Sequence, residues 1–181
     1  MTDSIVITPY NPAWPTHFAT LGAAIRQALG PLALRIDHIG STSIPGLDAK
    51  PIIDVQISVA SLEPVDSYRL PLEEIGFVWR ADNPELTKRY FREQPGSQRI
   101  HIHVRRAGSW AEQFALLFRD YMRCHPNDAR AYALLKHALA GVHRNDREAY
   151  TDAKDPFIWE TMYKADRWSQ RIGWQPGPPD A

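Results

Sequence analysis

Polar and apolar residues alternate most cleanly in two short stretches of the chain. In Ile53-Asp54-Val55-Gln56-Ile57-Ser58-Val59 the apolar residues share one face, and Asp54, Gln56 and Ser58 share the other. In Arg99 to Arg105, Ile100, Ile102 and Val104 face one way while Arg99, His101, His103 and Arg105 face the other. A period of two predicts a β-strand for each, with one buried and one polar face. Shorter runs predict strands at Ile5-Val6-Ile7-Thr8, Leu32 to Ile39, Phe77-Val78-Trp79 and about Thr87 to Arg92. Within Leu32 to Ile39, Leu34, Ile36 and His38 alternate with Arg35, Asp37 and Ile39. The connections after Trp79 and through Gln94-Pro95-Gly96-Ser97 are too short for helical crossovers, which predicts an antiparallel hairpin or meander for the last strands.

Helical spacing accounts for most of the remainder. Tyr10-Asn11-Pro12-Ala13-Trp14-Pro15 is a turn into a helix on which Phe18, Leu21, Ile25 and Leu29 recur, until Gly30-Pro31 stops it. Ser61 to Ile75 also reads as helical, against the disruptive Pro64 and Pro71, and Gly76 ends it. Ser109-Trp110-Ala111-Glu112 has the capping-box pattern, which pairs side-chain acceptors with the exposed amides of a helix start. Phe114, Leu117, Phe118 and Tyr121 continue that helix to His125-Pro126. The next runs from about Asp128 to His143, with Tyr132, Leu135 and Leu139 on its apolar side. A further pattern begins near Asp146, and Asp155-Pro156 caps a last helix striped by Ile158, Met162 and Ala165. Gly173 to Ala181, rich in proline, reads as a loose tail. The order predicts an α/β (α+β) fold: a mixed, mostly antiparallel sheet with helices on one side and a helical C-terminal half. Residues 1–168 form one domain, and 169–181 a tail.

The totals change this picture only by exclusion. A chain of 181 residues with 44% apolar content can bury one ordinary core. Lys plus Arg and Asp plus Glu both number 21, so no net field draws it to a membrane or to nucleic acid in general. No apolar run approaches the length of a membrane span, and Met1-Thr2-Asp3-Ser4 lacks the basic and apolar regions of a signal peptide. The single cysteine, Cys124, cannot form an intrachain disulfide, which fits a reducing, cytoplasmic setting. Arg123 and His125 beside it would favour its thiolate, although a plain helix-end position accounts for it more simply.

The chemistry gathers just before and within the Asp54 strand. Gly40-Ser41-Thr42-Ser43 and Lys50 precede it in a loop rich in Gly, Ser, Thr and Pro. Amides and hydroxyls of such a loop can hold a phosphate, with Lys50 adding a point charge. Asp54 can hold a divalent metal that bridges to that phosphate. The alternative is a plain connection into a core strand, with Asp54 bonded to a neighbouring loop. His101 and His103 lie on one strand face, about 6–7 Å apart. With Asp54 they would make a two-histidine, one-carboxylate metal site, suited to manganese, iron or zinc better than magnesium. The alternative is a polar sheet face whose imidazoles bond to helices above it; His38 is a weaker candidate of the same kind. Arg89, Arg92, Arg99 and Arg105 fall on neighbouring strands, and Arg119 and Arg123 one turn apart on a helix, with Lys136 on the next. Converging guanidinium groups would favour a phosphorylated ligand; the alternative pairs them with Asp120, Glu112 and Asp128 on a solvated face. Tyr90 or Phe91 could stack on a base.

The order Tyr10-x-Pro12-x-Trp14-Pro15, then His38-Ile39-Gly40-Ser41-Thr42-Ser43-x-Pro45-Gly46-Leu47-x-Ala49-Lys50-Pro51-Ile52-Ile53-Asp54, resembles the GrpB family. Arg89-Tyr90-Phe91, His101-Ile102-His103-Val104, Phe118-Arg119-Asp120-Tyr121-Met122-Arg123-x-His125-Pro126, Leu134-Leu135-Lys136 and Asp146-x-x-x-x-Tyr150-x-x-x-Lys154, then Phe157-Ile158, agree in the same order. The resemblance covers about residues 5 to 165. It implies the DNA polymerase β-like nucleotidyltransferase fold, and some relatives of that family are joined to dephospho-coenzyme A kinase. In that fold a Gly-Ser turn holds nucleotide phosphates, and two or three strand carboxylates bind magnesium for in-line attack. Gly40-Ser41 matches the turn and Asp54 a strand carboxylate. The second carboxylate would fall two residues on, where this chain has Gln56, a weak and neutral ligand. The third has no match either.

Two functions follow as expectations. One is an enzyme of nucleotidyl or phosphoryl transfer using Asp54 and a divalent metal, magnesium, manganese or zinc. The other is a non-catalytic module that binds a nucleotide or phosphorylated coenzyme. The intact loop, Lys50 and Asp54 serve both; Gln56 favours the second.

Overall fold

A computed structural model describes residues 4–181. Met1-Thr2-Asp3, on which most of the signal-peptide expectation rests, lies outside the described residues. The first helix, α1 (Trp14–Leu29), carries Pro15 at its start, buries Trp14, Phe18, Ile25 and Leu29, and ends at Gly30 with φ +53°. Strands β1 (Arg35–Ile39) and β2 (Ile53–Val59) follow, then α2 (Asp66–Glu74), β3 (Phe77–Trp79), β4 (Lys88–Glu93) and β5 (Ile100–Arg106). The helical half comprises α3 (Trp110–Cys124), α4 (Pro126–Val142), α5 (Arg147–Asp152) and α6 (Asp155–Ile172).

The sheet order is β1-β2-β5-β4-β3. All pairs are antiparallel except β2 with β5, which are parallel and lie at the centre. The mixed, mostly antiparallel sheet expected from the sequence is therefore present, including the β3-β4-β5 meander. Its apolar face carries Ile53, Val55, Ile57, Val59, Ile102, Val104 and Phe91, and packs on Trp14, Phe18 and Ile25 of α1 and Tyr68 and Leu72 of α2. A separate cluster joins Ile44 and Leu47, after the glycine loop, to Tyr121, Met122, Tyr132 and Ala165 of the later helices. Those helices cover the polar face, so the expectation of helices on one side is corrected: both faces are covered.

Several boundaries differ from the sequence expectation, each for a local reason. The strand expected at Ile5-Val6-Ile7-Thr8 reduces to one bridge, Thr8 with Ala49, while the Ile5 amide donates to Arg144 O at 2.8 Å. Leu34 is half-exposed ahead of β1, and Gly30–Leu32 is a 3-10 turn. Helix α2 begins only at Asp66, after a cis Glu63–Pro64 bond, yet accommodates Pro71. The Ser109 hydroxyl caps the Glu112 amide at 3.3 Å, whereas Glu112 Oε2 accepts from Gly108 at 2.6 Å, one residue beyond the reciprocal partner of the pattern. Helix α6 begins at Asp155, with Lys154 rather than Asp155 at the capping position and no side-chain cap bond there.

The largest correction concerns residues 169–181. Helix α6 continues to Ile172, and the stretch after it is not loose. The Asp180 and Ala181 amides donate to Ile36 O at 3.1 Å, and Asp180 Oδ2 accepts from the His38 amide at 2.9 Å. Arg35 donates to Gly177 O, and Trp174 Nε1 to Asp120 Oδ2. The prolines favour an extended chain, which runs along the free side of β1, the only edge of that strand without a sheet partner among the described residues.

Candidate functional site

The parallel register of β2 and β5 sets the site. Asp54 lies directly opposite His101, and Gln56 opposite His103, so Asp54, His101 and His103 share the polar face. Asp54 Oδ1 lies 3.3 Å from His101 Nδ1 and 3.3 Å from His103 Nε2. Among the described residues these three are the group of His, Cys, Asp and Glu side chains whose donor atoms approach one another closely enough for a metal, all within 4.8 Å. Burial alone would raise the Asp54 pKa, but hydrogen bonding to the two imidazoles outweighs it and holds the carboxyl well below the usual carboxylate range. Burial lowers His103 to about 4 despite Asp54 beside it, so its ring is neutral at pH 7. The Tyr90 ring packs 5.5 Å from His101 and 5.4 Å from His103. His101 Nε2 and His103 Nδ1 are buried without a hydrogen-bond partner.

The glycine loop closes over Asp54 from one side. Gly40 has φ +69°, and a Cβ there would fall 2.5 Å from Asp54 Oδ2, so the approach requires glycine. A 3-10 turn, Ser41–Ser43, follows. Its hydroxyls work partly inside the loop. Thr42 Oγ1 donates to Ile52 O at 3.0 Å and lies 3.0 Å from His38 Nε2, and Ser43 Oγ donates to Gly40 O at 2.6 Å.

Between this floor and the later helices lies a cavity of about 370 Å³, lined by Gly40, Ser41, Thr42, Lys50, Asp54, His101 and His103 from the sheet side. From the helices come Tyr132, Lys136, Tyr150, Thr151 and Lys154. The Lys50 and Lys154 ammonium groups sit 5.0 and 4.7 Å from the centre of the Tyr150 ring. Lys136 Nζ lies 4.7 Å from the Tyr132 ring centre and donates to Asp48 O. Burial, then the charge of Lys154, lowers Lys50 to about 8 and Lys136 to about 7; burial lowers Lys154 as well. Three lysines crowd one cavity, with Asp54 facing Lys50 and Lys154, Asp155 near Lys154 and Asp48 near Lys136 as countercharges. That arrangement is costly until an anion enters.

The sequence candidates thus divide. Gly40, Ser41, Thr42, Lys50, Asp54, His101 and His103 come together at the cavity. Ser43 is buried within the loop. Arg89 lies on the opposite, apolar face of the sheet, across from Val104, and binds Glu63 at 2.6 Å. Arg119 is buried among Asp120, Asp180, His38 O and Asp37, at 2.7, 2.9, 3.3 and 3.4 Å. Arg123 grips the loop from outside, donating to Ser43 O at 3.0 Å. None of the three reaches the cavity, because each is already committed to a protein acceptor. His38 stacks on Phe18 in the core and joins no site. Gln56 is fully buried, its Oε1 accepting from Arg105 at 2.7 Å and its Nε2 donating to Glu112 O at 3.3 Å. It is therefore turned to structural work.

The sequence reading left Lys154 and Tyr150 unassigned to the site, although the family pattern contains both at i, i+4 spacing, and grouped Lys136 with the wrong arginines. A larger groove of about 580 Å³ between α3 and α6, edged by Trp110, Phe114 and Trp159, is apolar and holds none of this chemistry.

Comparison with known proteins agrees with the geometry of the fold. A UPF0157 protein of Pseudomonas aeruginosa is 43% identical over 167 residues, covering 90% of this chain and 68% of that protein. The UPF0157 protein YqkA of Bacillus subtilis is 37% identical, over 92% of this chain and 48% of its own length. A protein of Mycolicibacterium paratuberculosis named dephospho-CoA kinase is 32% identical, over 94% of this chain and 48% of its own. The chain thus spans about half the length of the last two. The crystal structure of the conserved protein GrpB from Enterococcus faecalis superposes with a TM-score of 0.82 at 35% identity, covering 90% of this chain and 99% of that one. The Cid1 poly(U) polymerase matches with a TM-score of 0.52 at 16% identity, over 72% of this chain and 43% of its own, and shows a shared nucleotidyltransferase-like fold alone. The model of the family described as GrpB protein matches residues 4–164, and with these relatives beside it the chain belongs to the GrpB family.

Proposed function

We propose that the chain binds a nucleotide or another phosphorylated small molecule in the cavity above Asp54, with its phosphates against Lys50, Lys136 and Lys154 and a divalent ion on Asp54. The observation that carries this is the convergence of three lysines, Lys136 buried and Lys50 and Lys154 half-buried, on a cavity floored by Asp54, His101 and His103. Ser41 and the loop backbone lie at the same wall. A neutral or cationic ligand would leave the lysines uncompensated, whereas a phosphate offsets them. A cytoplasmic setting, expected from the single cysteine, suits such a ligand.

A second reading, metal-dependent nucleotidyl or phosphoryl transfer, is supported by the fold and by Asp54, which the family resemblance matches to a strand carboxylate. Against it stands Gln56, bound on both ends of its amide and unable to turn toward a second ion.

Calorimetric titration of nucleoside mono-, di- and triphosphates separates these outcomes. Binding is expected, and Lys154→Ala should weaken it by about 10–100-fold, the loss of one charge-assisted contact. Arg89→Ala should leave it unchanged. Equal binding by wild type and Lys154→Ala would refute the proposal. Incubating labelled nucleoside triphosphates with a cell extract as acceptor source tests transfer; pyrophosphate release that vanishes in Asp54→Ala would establish the second reading.

A further inference from the structure

We propose that Asp54, His101 and His103 hold one divalent transition ion of the zinc or manganese class, in place of the magnesium pair that the fold resemblance implies. The inference rests on the ligand site described above, since the open positions of that ion face the same cavity.

The donor chemistry comes first. Two imidazole nitrogens and one carboxylate oxygen suit zinc, manganese or iron, whereas magnesium takes oxygen ligands in a near-ideal octahedron. The spacing agrees. Bonds of about 2.1 Å at near-tetrahedral angles set neighbouring donors about 3.4 Å apart. Asp54 Oδ1 stands 3.3 Å from each imidazole nitrogen. A direct N–H···O bond is best at about 2.9 Å. The two nitrogens lie within 4.8 Å of each other, and a shared ion would draw them to about 4.2 Å or less.

The surroundings limit the site to one ion. Gly40 closes on Asp54 Oδ2, which leaves Oδ1 as the oxygen toward the histidines. A second ion would need an acceptor two residues along β2, and the Gln56 carbonyl there is spent on Arg105. The donors also stand on the two central strands, in fixed register, with Tyr90 against both rings. The outer ring nitrogens have no protein partner, so ligation by the inner nitrogens would itself choose the tautomer.

The test uses chelator-treated full chain and requires no nucleotide. Zinc, manganese and magnesium are titrated separately, and cobalt(II) is added to read its visible d–d bands. One equivalent of zinc should bind at least 100-fold more tightly than magnesium, and cobalt should give bands of a four- or five-coordinate nitrogen–oxygen site. His101→Ala and His103→Ala should each weaken zinc by about tenfold or more, while His137→Ala, at the exposed pair with Asp48, should not. Magnesium binding as tightly as zinc, two equivalents of ion, or an unchanged affinity in both site variants would overturn the inference. The wild-type affinity ratio and cobalt spectrum decide it even if a variant does not fold. Loss of metal selectivity with nucleotide binding intact would sink this inference alone; zinc binding without nucleotide binding would sink only the proposed function.

Discussion

Replacing Arg119 by alanine separates a structural cation from a ligand-binding one. The guanidinium is 3% exposed and touches Asp120, Asp180, Asp37 and the His38 carbonyl within 3.4 Å. Removing one member of a buried ion cluster costs about 3–5 kcal/mol, because the remaining charges stay buried. Here the loss is moderated. Asp37, fully buried, keeps Arg35 at 2.8 Å, and Asp120 and Asp180 are 18% and 28% exposed. A cost near the lower end, about 3 kcal/mol, follows. For a domain of this size that lowers the melting temperature by about 6–12 °C. Arg119→Lys, which keeps the charge but not the planar fork, should recover part of it. Nucleotide affinity measured well below the melting transition should stay within about twofold. A variant with an unchanged melting temperature and lost nucleotide binding would refute the reasoning, and would return Arg119 to the phosphate ligands that its sequence neighbourhood suggested.

Three further outcomes follow from the site. Gln56→Asp should lower stability by about 1–3 kcal/mol without raising magnesium affinity, since the shorter side chain loses the Glu112 carbonyl and still faces Arg105; thermal shifts with and without magnesium read both, and tighter magnesium binding would contradict it. Gly40→Ala should weaken both metal and nucleotide binding by tenfold or more, as its Cβ meets Asp54 Oδ2 and its φ becomes strained; calorimetry against wild type checks this. Lys50 and Lys136, lowered to about 8 and about 7, titrate near 10.4 when unfolded. Between those values the unfolded chain binds more protons, so these groups should raise stability as pH climbs from about 7 to 9.5, while phosphate affinity falls as they lose charge; melting curves and titrations across that range test the opposite signs.

What the sequence showed and what it hid have physical causes. Strands β2 and β5 were legible because each has one buried face, and a period of two assigns every side chain once that face is known. Thus Asp54, His101 and His103 were placed correctly as sheet residues. Their meeting depended on the parallel pairing of strands separated by residues 60–99, which periodicity does not reveal. The place of Tyr150 and Lys154 at the cavity stayed hidden, although the family pattern contains both, because they arrive from α5 and the cap of α6, and exposed-looking helix residues give no sign of which cavity they close. Arg119 misled because a charge on an amphipathic helix looks the same whether it meets a ligand or, as here, a buried Asp37. Residues 173–181 misled because proline-rich composition resembles disorder, and only the unpaired side of β1 gives it somewhere to lie.

The central β2–β5 pairing bears on synthesis as much as on structure. A ribosome delivers Asp54 well before His101 and His103, and the intervening residues 60–99 must be made and folded back before the strands can lie side by side. Until β5 has been made and paired, an ion has no complete set of donors to gather on the nascent chain. Under the proposed metal site, capture would come after β5 has paired, and the concentration of available metals would select the occupant alongside the donors themselves.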